Sequence, residues 1–288
     1  METRHPDIHT YYNNTRFDYR SLWNRRRRDV AVHFGYYDEH ASRHAEALDN
    51  LNRVMADLAV IQPGEQVLDA GCGLGNACFW LSEHRQAHTT GISIVARQIA
   101  DCQKAAAKFA GLPIARYPIE FLEADYCHTP FADATFDVVW ACESVCHVAA
   151  KPEFYKEAFR LLKPGGRLVM AEYMRTGRPV SENGERLLAE WLRPWAIPDI
   201  DTAAEHWAGA AAAGFEKIIM QDVTRQVQVS LRNLHEMSVR WLPLGKWLNR
   251  VGLVNDVRLG NAMASVRQYE ALQEGAWQYQ LVLAWKRK

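Results

Sequence analysis

Two polar side chains, Glu143 and His147, follow directly on the apolar run FDVVWA at residues 136–141. Such a run is typical of a buried strand, and ligands of α/β proteins bind where the strands end. A carboxylate in this place could accept a proton or stabilise a positive charge, and an imidazole four residues later is a second candidate base. Structural roles stay open as well: Glu143 could hydrogen-bond the glycine-rich loop described next or N-cap the next turn, and His147 could pack or cap.

A glycine-rich stretch, VLDAGCGLGN at residues 67–76, lies between a predicted strand and a predicted helix. Gly71 and Gly73 let the backbone approach a ligand closely because they have no Cβ. The free N–H groups at the start of the next helix suit a carboxylate or a phosphate, and Asp69 could accept from an ammonium group. The spacing GxGxG, with Asn76 in place of a third glycine, departs from the GxGxxG of dinucleotide-binding proteins. The second strand also ends without the acid that would bind a ribose.

Strands and helices alternate along the middle of the chain, which indicates right-handed crossovers and a parallel sheet. Residues 1–60 are predicted to form an N-terminal helical cap, and residues 61–288 one catalytic domain with cap insertions near 176–205 and 225–274. The predicted strands are 65–71, 87–94, 119–125, 136–142, 165–173, 215–223 and 276–286.

The composition narrows the class of protein. The 288 residues carry equal numbers of basic and acidic side chains, 34 of each, which argues against a nucleic-acid partner. No apolar run approaches the length of a transmembrane helix, and the N-terminus lacks the apolar core of a signal peptide. Six cysteines without a CxxC pair are expected to be reduced thiols of a cytoplasmic protein. Most of the ten tryptophans fall outside the predicted sheet, which favours either a site lined with aromatic rings or simple packing.

Four segments together resemble the class I S-adenosylmethionine-dependent methyltransferases. EQVLDAGCGLGN resembles their motif I, and GISIVARQ resembles the second-strand motif of the sterol, cyclopropane-fatty-acid and tocopherol methyltransferase group. Residues 123–148 resemble the block with motifs II and III of sterol C-methyltransferases, and LLKPGGRLVMAEY resembles motif IV with the fifth strand. The resemblance runs over residues 61–173. It implies a Rossmann-like seven-stranded sheet with its last strand antiparallel, under a helical cap.

The resemblance also implies S-adenosyl-L-methionine as the cofactor. Its methionine part is expected on the glycine loop, its ribose at the end of the second strand and its adenine after the third strand. The residues at these positions are Asp69, Gly71 and Gly73 for the methionine part, Ser93, Ile94 and Gln98 for the ribose, and Asp125 and Tyr126 for the adenine.

Glu143 matches an acidic position that the resemblance places in enzymes methylating carbon. The leading hypothesis is methylation of an alkene carbon of an isoprenoid, a prenyl diphosphate or a prenylated metabolite, through a carbocation that is then deprotonated. Glu143 is the predicted base or cation stabiliser, and His147 is the substitute base. The alternatives are an N- or O-methyltransferase of a small aromatic metabolite, or a non-catalytic S-adenosylmethionine-binding protein. The predicted contacts with the hydrophobic substrate are Tyr19, Trp23, Tyr36 and Arg175.

An anionic substrate would add further requirements. If it is a diphosphate, Arg175, Arg178 or one or two of Arg25–Arg28 could hold it, and Mg²⁺ would accompany it, bound largely through phosphate. No protein metal motif is visible in the sequence. A homo-oligomer is compatible with the sequence.

Overall fold

The computed structural model describes residues 6–17, 31–109 and 117–288. Its centre is one seven-stranded sheet in the order β3-β2-β1-β4-β5-β7-β6. Strands β1 to β5 pair in parallel, whereas β7 is antiparallel to both β5 and β6, which confirms the predicted sheet. The strands are β1 Gln66–Ala70, β2 His88–Ser93, β3 Ile119–Glu123, β4 Phe136–Cys142, β5 Leu162–Arg175, β6 Glu216–Asp222 and β7 Trp277–Trp285.

Helices cover both faces of the sheet. Strand β4 shows why: Val138 and Trp140 join one buried apolar cluster, and Val139 and Ala141 join the cluster on the opposite face. A strand buried on both sides reads as a continuous apolar run, as FDVVWA does. The helices of the described residues are α1 Pro6–Phe17, α2 His44–Leu58, α3 Asn76–Arg85, α4 Ala96–Phe109, α5 Lys151–Leu161, α6 Glu182–Leu192, α7 Ala203–Ala213, α8 Thr224–Arg250 and α9 Asp256–Gln273.

Helices α1, α8 and α9 contribute side chains above the carboxyl ends of the central strands. Helix α9 packs against α8, α6 and α1, so these helices support one another. Helix α2, also within the predicted N-terminal cap, lies instead beside the sheet, where Leu51 and Met55 enter the core with Trp140. Among the described residues, none of the helices has both the length and the apolar composition needed to cross a bilayer.

Candidate active site

A cavity of about 760 Å³ opens at the carboxyl ends of β1, β4 and β5, beneath α1, α8 and α9. One end is the glycine loop, and the other end is lined by apolar and aromatic side chains of the cap. Concave, mainly apolar cavities of this size bind small molecules, and the polar groups in their walls orient the ligand. The polar lining residues used below are Tyr12, Asp69, Glu143, His147 and Tyr173.

The glycines of the loop have different roles. Gly71, Gly73 and Gly75 all have positive φ angles, of 93°, 53° and 82°. A Cβ on Gly71 would lie 2.5 Å from Ser144 Cβ, and one on Gly75 would lie 2.8 Å from Phe121 Cζ. The nearest atom to a Cβ on Gly73 would be Val32 Cγ2 at 3.7 Å. Gly71 and Gly75 are therefore required by packing, whereas Gly73 faces open cavity, where a bound ligand would approach the backbone.

Asp69 is the second-last residue of β1, and its carboxylate is buried in the cavity wall. Burial raises the pKa of Asp69 to about 7, although the Cys78 thiol, which donates to Oδ2 at 3.5 Å, lowers it. A buried carboxylate with such a weak donor would be stabilised by a cation. This carboxylate and the open backbone at Gly73 fit the ammonium and carboxylate groups of a methionine moiety.

Ser93 and Gln98 are held together at the end of β2. The Ser93 hydroxyl donates to Gln98 Oε1 at 2.8 Å and accepts from Val95 N at 3.1 Å. Gln98 also borders a small pocket shared with Leu74 and Tyr12. The neighbouring residue Ile94 is half-buried. Their role in holding the ribose stays a prediction.

Asp125 and Tyr126 lie after β3, as the predicted adenine site requires. Asp125 Oδ1 accepts from Cys127 N at 2.8 Å, which fixes the turn. The Tyr126 hydroxyl donates to Ser144 O at 2.7 Å, and its ring meets Phe154 edge-on. Neither side chain lines the large cavity, so adenine contact stays a prediction for both.

Glu143 follows β4 with a left-handed backbone, φ 50°, a conformation that costs a non-glycine residue about 1–2 kcal/mol. Its carboxylate is in the cavity wall and accepts three hydrogen bonds. Phe34 N and the Tyr279 hydroxyl donate to Oε1 at 2.8 and 2.7 Å, and the Tyr173 hydroxyl donates to Oε2. Burial raises the pKa of Glu143 to about 7, against the lowering effect of these donors.

The two structural roles left open for Glu143 are not the ones it fills. The hydrogen bond to the segment just before the glycine loop comes from Ser144 and not from Glu143: the Ser144 hydroxyl donates to Ala70 O, at the end of β1, at 2.6 Å. The short 3₁₀ turn Val145–His147 has no side-chain cap. Glu143 instead joins segments far apart in the chain, and its left-handed backbone is consistent with a functional position.

His147 also reaches the cavity wall, but both ring nitrogens have partners. Nδ1 lies 3.1 Å from Ala196 O, and Nε2 lies 3.0 Å from the Tyr12 hydroxyl. Because a carbonyl oxygen only accepts, Nδ1 carries a hydrogen, and in the neutral ring Nε2 accepts from Tyr12. This geometry favours the packing role over that of a free base.

Of the predicted substrate contacts, the two that the structure describes, Tyr36 and Arg175, do not line the cavity. Tyr36 is buried in the core, in the same cluster as Leu51, and does not line the cavity. The Arg175 guanidinium lies 2.6 Å from both carboxylate oxygens of Glu185 and 3.5 Å from Asp199, again outside the cavity lining. Its charge is thus already paired. Tyr19, Trp23 and Arg25–Arg28 lie outside the described residues.

Sequence reasoning missed the aromatic cage around Glu143. Tyr173 and Tyr279 face each other across the antiparallel β5–β7 pair, and Phe34 completes the group from the N-terminal segment. A tyrosine near the end of each strand was the available signal. The pairing that joins these two strands spans more than a hundred residues and leaves no local pattern.

Residues 68–170 match the family model described as a methyltransferase domain. The match runs from the glycine loop through Glu143 to β5. This segment builds the end of the cavity at the glycine loop. Residues 68–170 therefore form a methyltransferase domain, and the seven-stranded sheet around it is the fold of the class I S-adenosylmethionine-dependent methyltransferases.

This methyltransferase has relatives with several kinds of acceptor. Sterol methyltransferase-like 2 of Botryococcus braunii is 32% identical over 210 residues, which are 72% of this chain and 50% of the relative. Other curated relatives are N- and O-methyltransferases by name. The chain spans 50–54% of the length of four of the curated relatives it matches, and 33–34% of the length of three others.

Solved structures share the whole fold at low identity. The cyclopropane synthase MmaA2 of Mycobacterium tuberculosis has a TM-score of 0.81 and 15% identity, with 99% of each chain covered. Geranyl diphosphate C-methyltransferase of Streptomyces coelicolor A3(2), solved with Mg²⁺, geranyl diphosphate and S-adenosyl-L-homocysteine, has a TM-score of 0.69 and 20% identity. There, 97% of this chain and 96% of that chain are covered. At these identities the likeness is one of fold.

Proposed function

We propose that this methyltransferase methylates an alkene carbon of an isoprenoid and that Glu143 removes the proton that completes the reaction. The observation that carries the proposal is the position of Glu143. Its carboxylate is buried in the wall of a large apolar cavity, beside the glycine loop and among aromatic rings. Such a carboxylate meets an acceptor without competition from bulk water.

Bound S-adenosylmethionine supplies a methyl group on a positively charged sulfur, ready for in-line displacement. The π electrons of an acceptor alkene would form the new carbon–carbon bond to that methyl group, which would leave neutral S-adenosylhomocysteine and a carbocation on the acceptor. Glu143 then takes a proton from the neighbouring carbon, whose C–H electrons form the new double bond. The pKa of Glu143, near 7, keeps a useful fraction of the carboxylate ionised at neutral pH while leaving it a competent proton acceptor.

The rings around Glu143 suit a cationic intermediate. The ring centroids of Phe34 and Tyr173 are 6.0 Å apart, those of Tyr173 and Tyr279 are 5.8 Å apart, and those of Phe34 and Tyr279 are 6.4 Å apart. Phe34 and Tyr173 also line the cavity. Electron-rich ring faces attract a cation, most strongly where water is excluded. A deprotonated oxygen becomes neutral when it is methylated, so transfer to oxygen would not need this cage.

The charges near the cavity favour a neutral isoprenoid over a diphosphate. Arg175 and Arg178, the candidate anion holders, are both engaged with carboxylates. In the cavity lining, Arg240 pairs with Glu236 at 3.4 Å. Within the described ranges, no cluster of three or more histidine, cysteine or acidic side chains could hold a metal ion. The proposed neutral acceptor has no phosphate through which Mg²⁺ would bind, so the proposal gives this ion no role. The names of the sterol methyltransferase-like relative and of the geranyl diphosphate enzyme support the isoprenoid class.

The test is to locate the transferred methyl group. The full chain is incubated with methyl-labelled S-adenosylmethionine and a panel of sterols, prenylated quinones and phenols, prenyl diphosphates and simple phenols. Mass spectrometry of the product then locates the label. Label on a former alkene carbon of a neutral isoprenoid is expected. Label on oxygen or nitrogen would overturn carbon methylation and leave the heteroatom alternative. Donor binding by calorimetry without transfer to any acceptor would favour the non-catalytic alternative.

A further inference from the structure

The end of α8 and the turn that follows it carry an apolar surface that faces solvent. Leu244, Trp247, Val251 and Leu253 are 54%, 56%, 52% and 71% exposed. Single exposed apolar residues are common, but four large ones within ten residues form a patch of the kind found at interaction sites. These four residues are called the α8 patch below.

The α8 patch continues the wall of the cavity. Met237, Trp241 and Leu244 all line the cavity, and Leu244 belongs to both surfaces. These three residues, Trp247 and Val251, which directly follows α8, are spaced by three or four residues. They therefore lie on one face of the helix. An apolar molecule moving along this face from the cavity meets the α8 patch directly.

Positive charge surrounds the α8 patch, although the chain as a whole is neutral. Residues 240–258 contain four basic side chains, Arg240, Lys246, Arg250 and Arg258, and one acidic side chain, Asp256. Lys246 and Arg250 are exposed, and none of the ion pairs of the described residues involves either. Exposed Trp and aliphatic residues beside unpaired cations are the composition of helices that bind at a membrane interface.

We propose that the α8 patch docks on the surface of an anionic phospholipid bilayer. Lys246 and Arg250 bind the lipid head groups, while Trp247, Val251 and Leu253 enter the interface, where the indole ring is favoured. Charge argues against a second copy of this chain as the occupant, because docking patch to patch would bring unpaired cations together. It also argues against residues 18–30, which contain four successive arginines. Docking does not depend on which acceptor atom is methylated.

Vesicle co-sedimentation of the full chain tests this proposal. Vesicles of phosphatidylcholine mixed with phosphatidylglycerol are compared with vesicles of phosphatidylcholine alone. The wild-type chain is expected to bind the anionic vesicles more strongly. Lys246→Glu with Arg250→Glu should lower the partition coefficient at least about tenfold, since each cation near an anionic surface contributes on the order of 1 kcal/mol. Trp247→Ser with Leu253→Ser should lower binding to both kinds of vesicle.

Matched controls change two basic residues and one tryptophan elsewhere on the surface. Lys104→Glu with Lys156→Glu alters two exposed lysines on α4 and α5, and Trp207→Ser alters a tryptophan on α7 that is 52% exposed. Both controls should keep wild-type binding. Every changed residue is exposed, and the melting midpoint of each variant shows whether it folds.

Three outcomes would overturn the docking proposal. One is a wild-type chain that does not bind anionic vesicles. Another is a set of patch variants that bind no worse than the controls. The third is a wild-type oligomer, seen by light scattering, that the Trp247→Ser and Leu253→Ser changes convert to monomer, since the α8 patch would then join two copies. None of these readouts uses methyl transfer, so a failure of the carbon-methylation proposal would not be mistaken for a failure of docking.

Discussion

At the scale of single residues, Glu143 combines two properties that a purely structural carboxylate does not need. It adopts a left-handed backbone, and it is buried in the wall of a cavity with its pKa raised to about 7. Three donors hold it, yet two oxygens together offer about four lone-pair directions, so one remains for a proton from the acceptor. The hydroxyl groups of Tyr173 and Tyr279 therefore orient the base without saturating it.

Glu143→Gln is expected to reduce turnover on the identified acceptor by a factor on the order of 10² or more, within the range of general base catalysis. Glutamine keeps the size of the side chain and an oxygen for Phe34 N, but it cannot take up the proton. Donor affinity, measured by calorimetry, should change little. Steady-state kinetics of the purified variant give the turnover.

Glu172→Gln is the matched control for this change. Glu172 is a second buried carboxylate, on β5, that binds backbone N–H groups and does not line the cavity. The Glu172→Gln variant should therefore keep most of the turnover of the wild type. Equal losses in the two variants, or normal turnover in Glu143→Gln, would mean that Glu143 has a structural role only.

At the scale of elements, different glycines of the glycine loop serve packing and ligand binding. Gly71 touches Ser144, which is anchored to the end of β1, whereas Gly73 borders open cavity. The two positions are only two residues apart, so a pair of identical substitutions can distinguish the two functions of the loop.

Gly71→Ala is expected to lower the free energy of unfolding by about 2 kcal/mol or more, because the new methyl group overlaps Ser144 at a positive φ. Gly73→Ala should cost only about 1–2 kcal/mol for its left-handed backbone. It should weaken S-adenosylmethionine binding at least tenfold, since its methyl group enters the ligand space. Urea unfolding and calorimetry measure the two effects. If Gly73→Ala bound the donor as the wild type does, the ligand would not approach this glycine.

The elements themselves were predictable from sequence, because apolar runs and helical periodicity are local signals. All seven predicted strands appear, and FDVVWAC forms β4 over the predicted residues. The position of Glu143 at the edge of the sheet was predictable for the same reason, since it directly follows a strand. The hydrogen-bond partners of Glu143 were not predictable, because Tyr279 lies on a strand 136 residues further along the chain. The ion pairs of Arg175 were not predictable either. They depend on Glu185 and Asp199, and no local sequence motif indicates that these two residues lie beside β5.

At the scale of the whole molecule, a sheet covered on both faces excludes water from the carboxylates at its centre. Burial is the largest cause of the raised pKa of Asp69, Glu143 and Glu172, each about 7. Each group therefore holds its proton in the folded chain at a pH where the unfolded chain has lost it. A group of this kind stabilises the fold below its unfolded pKa, near 4 to 4.5, and this contribution is lost as the pH rises towards 7.

Glu172 isolates this effect, because it lies outside the cavity and its carboxylate accepts from Cys146 N and Tyr173 N. Glu172→Gln removes the ionisation while keeping an acceptor oxygen. The free energy of unfolding of the variant, minus that of the wild type, is expected to rise between pH 4.5 and pH 7 by up to about 3 kcal/mol, the equivalent of a pKa raised from 4.5 to about 7. Above pH 7 the difference should level off. Urea unfolding at a series of pH values, without ligand, measures it. A difference that stays constant over this range would show that Glu172 is ionised in the folded chain as readily as in the unfolded one. A difference that falls would show that the effect of Lys151 or of the two N–H donors on the pKa of Glu172 is larger than that of burial.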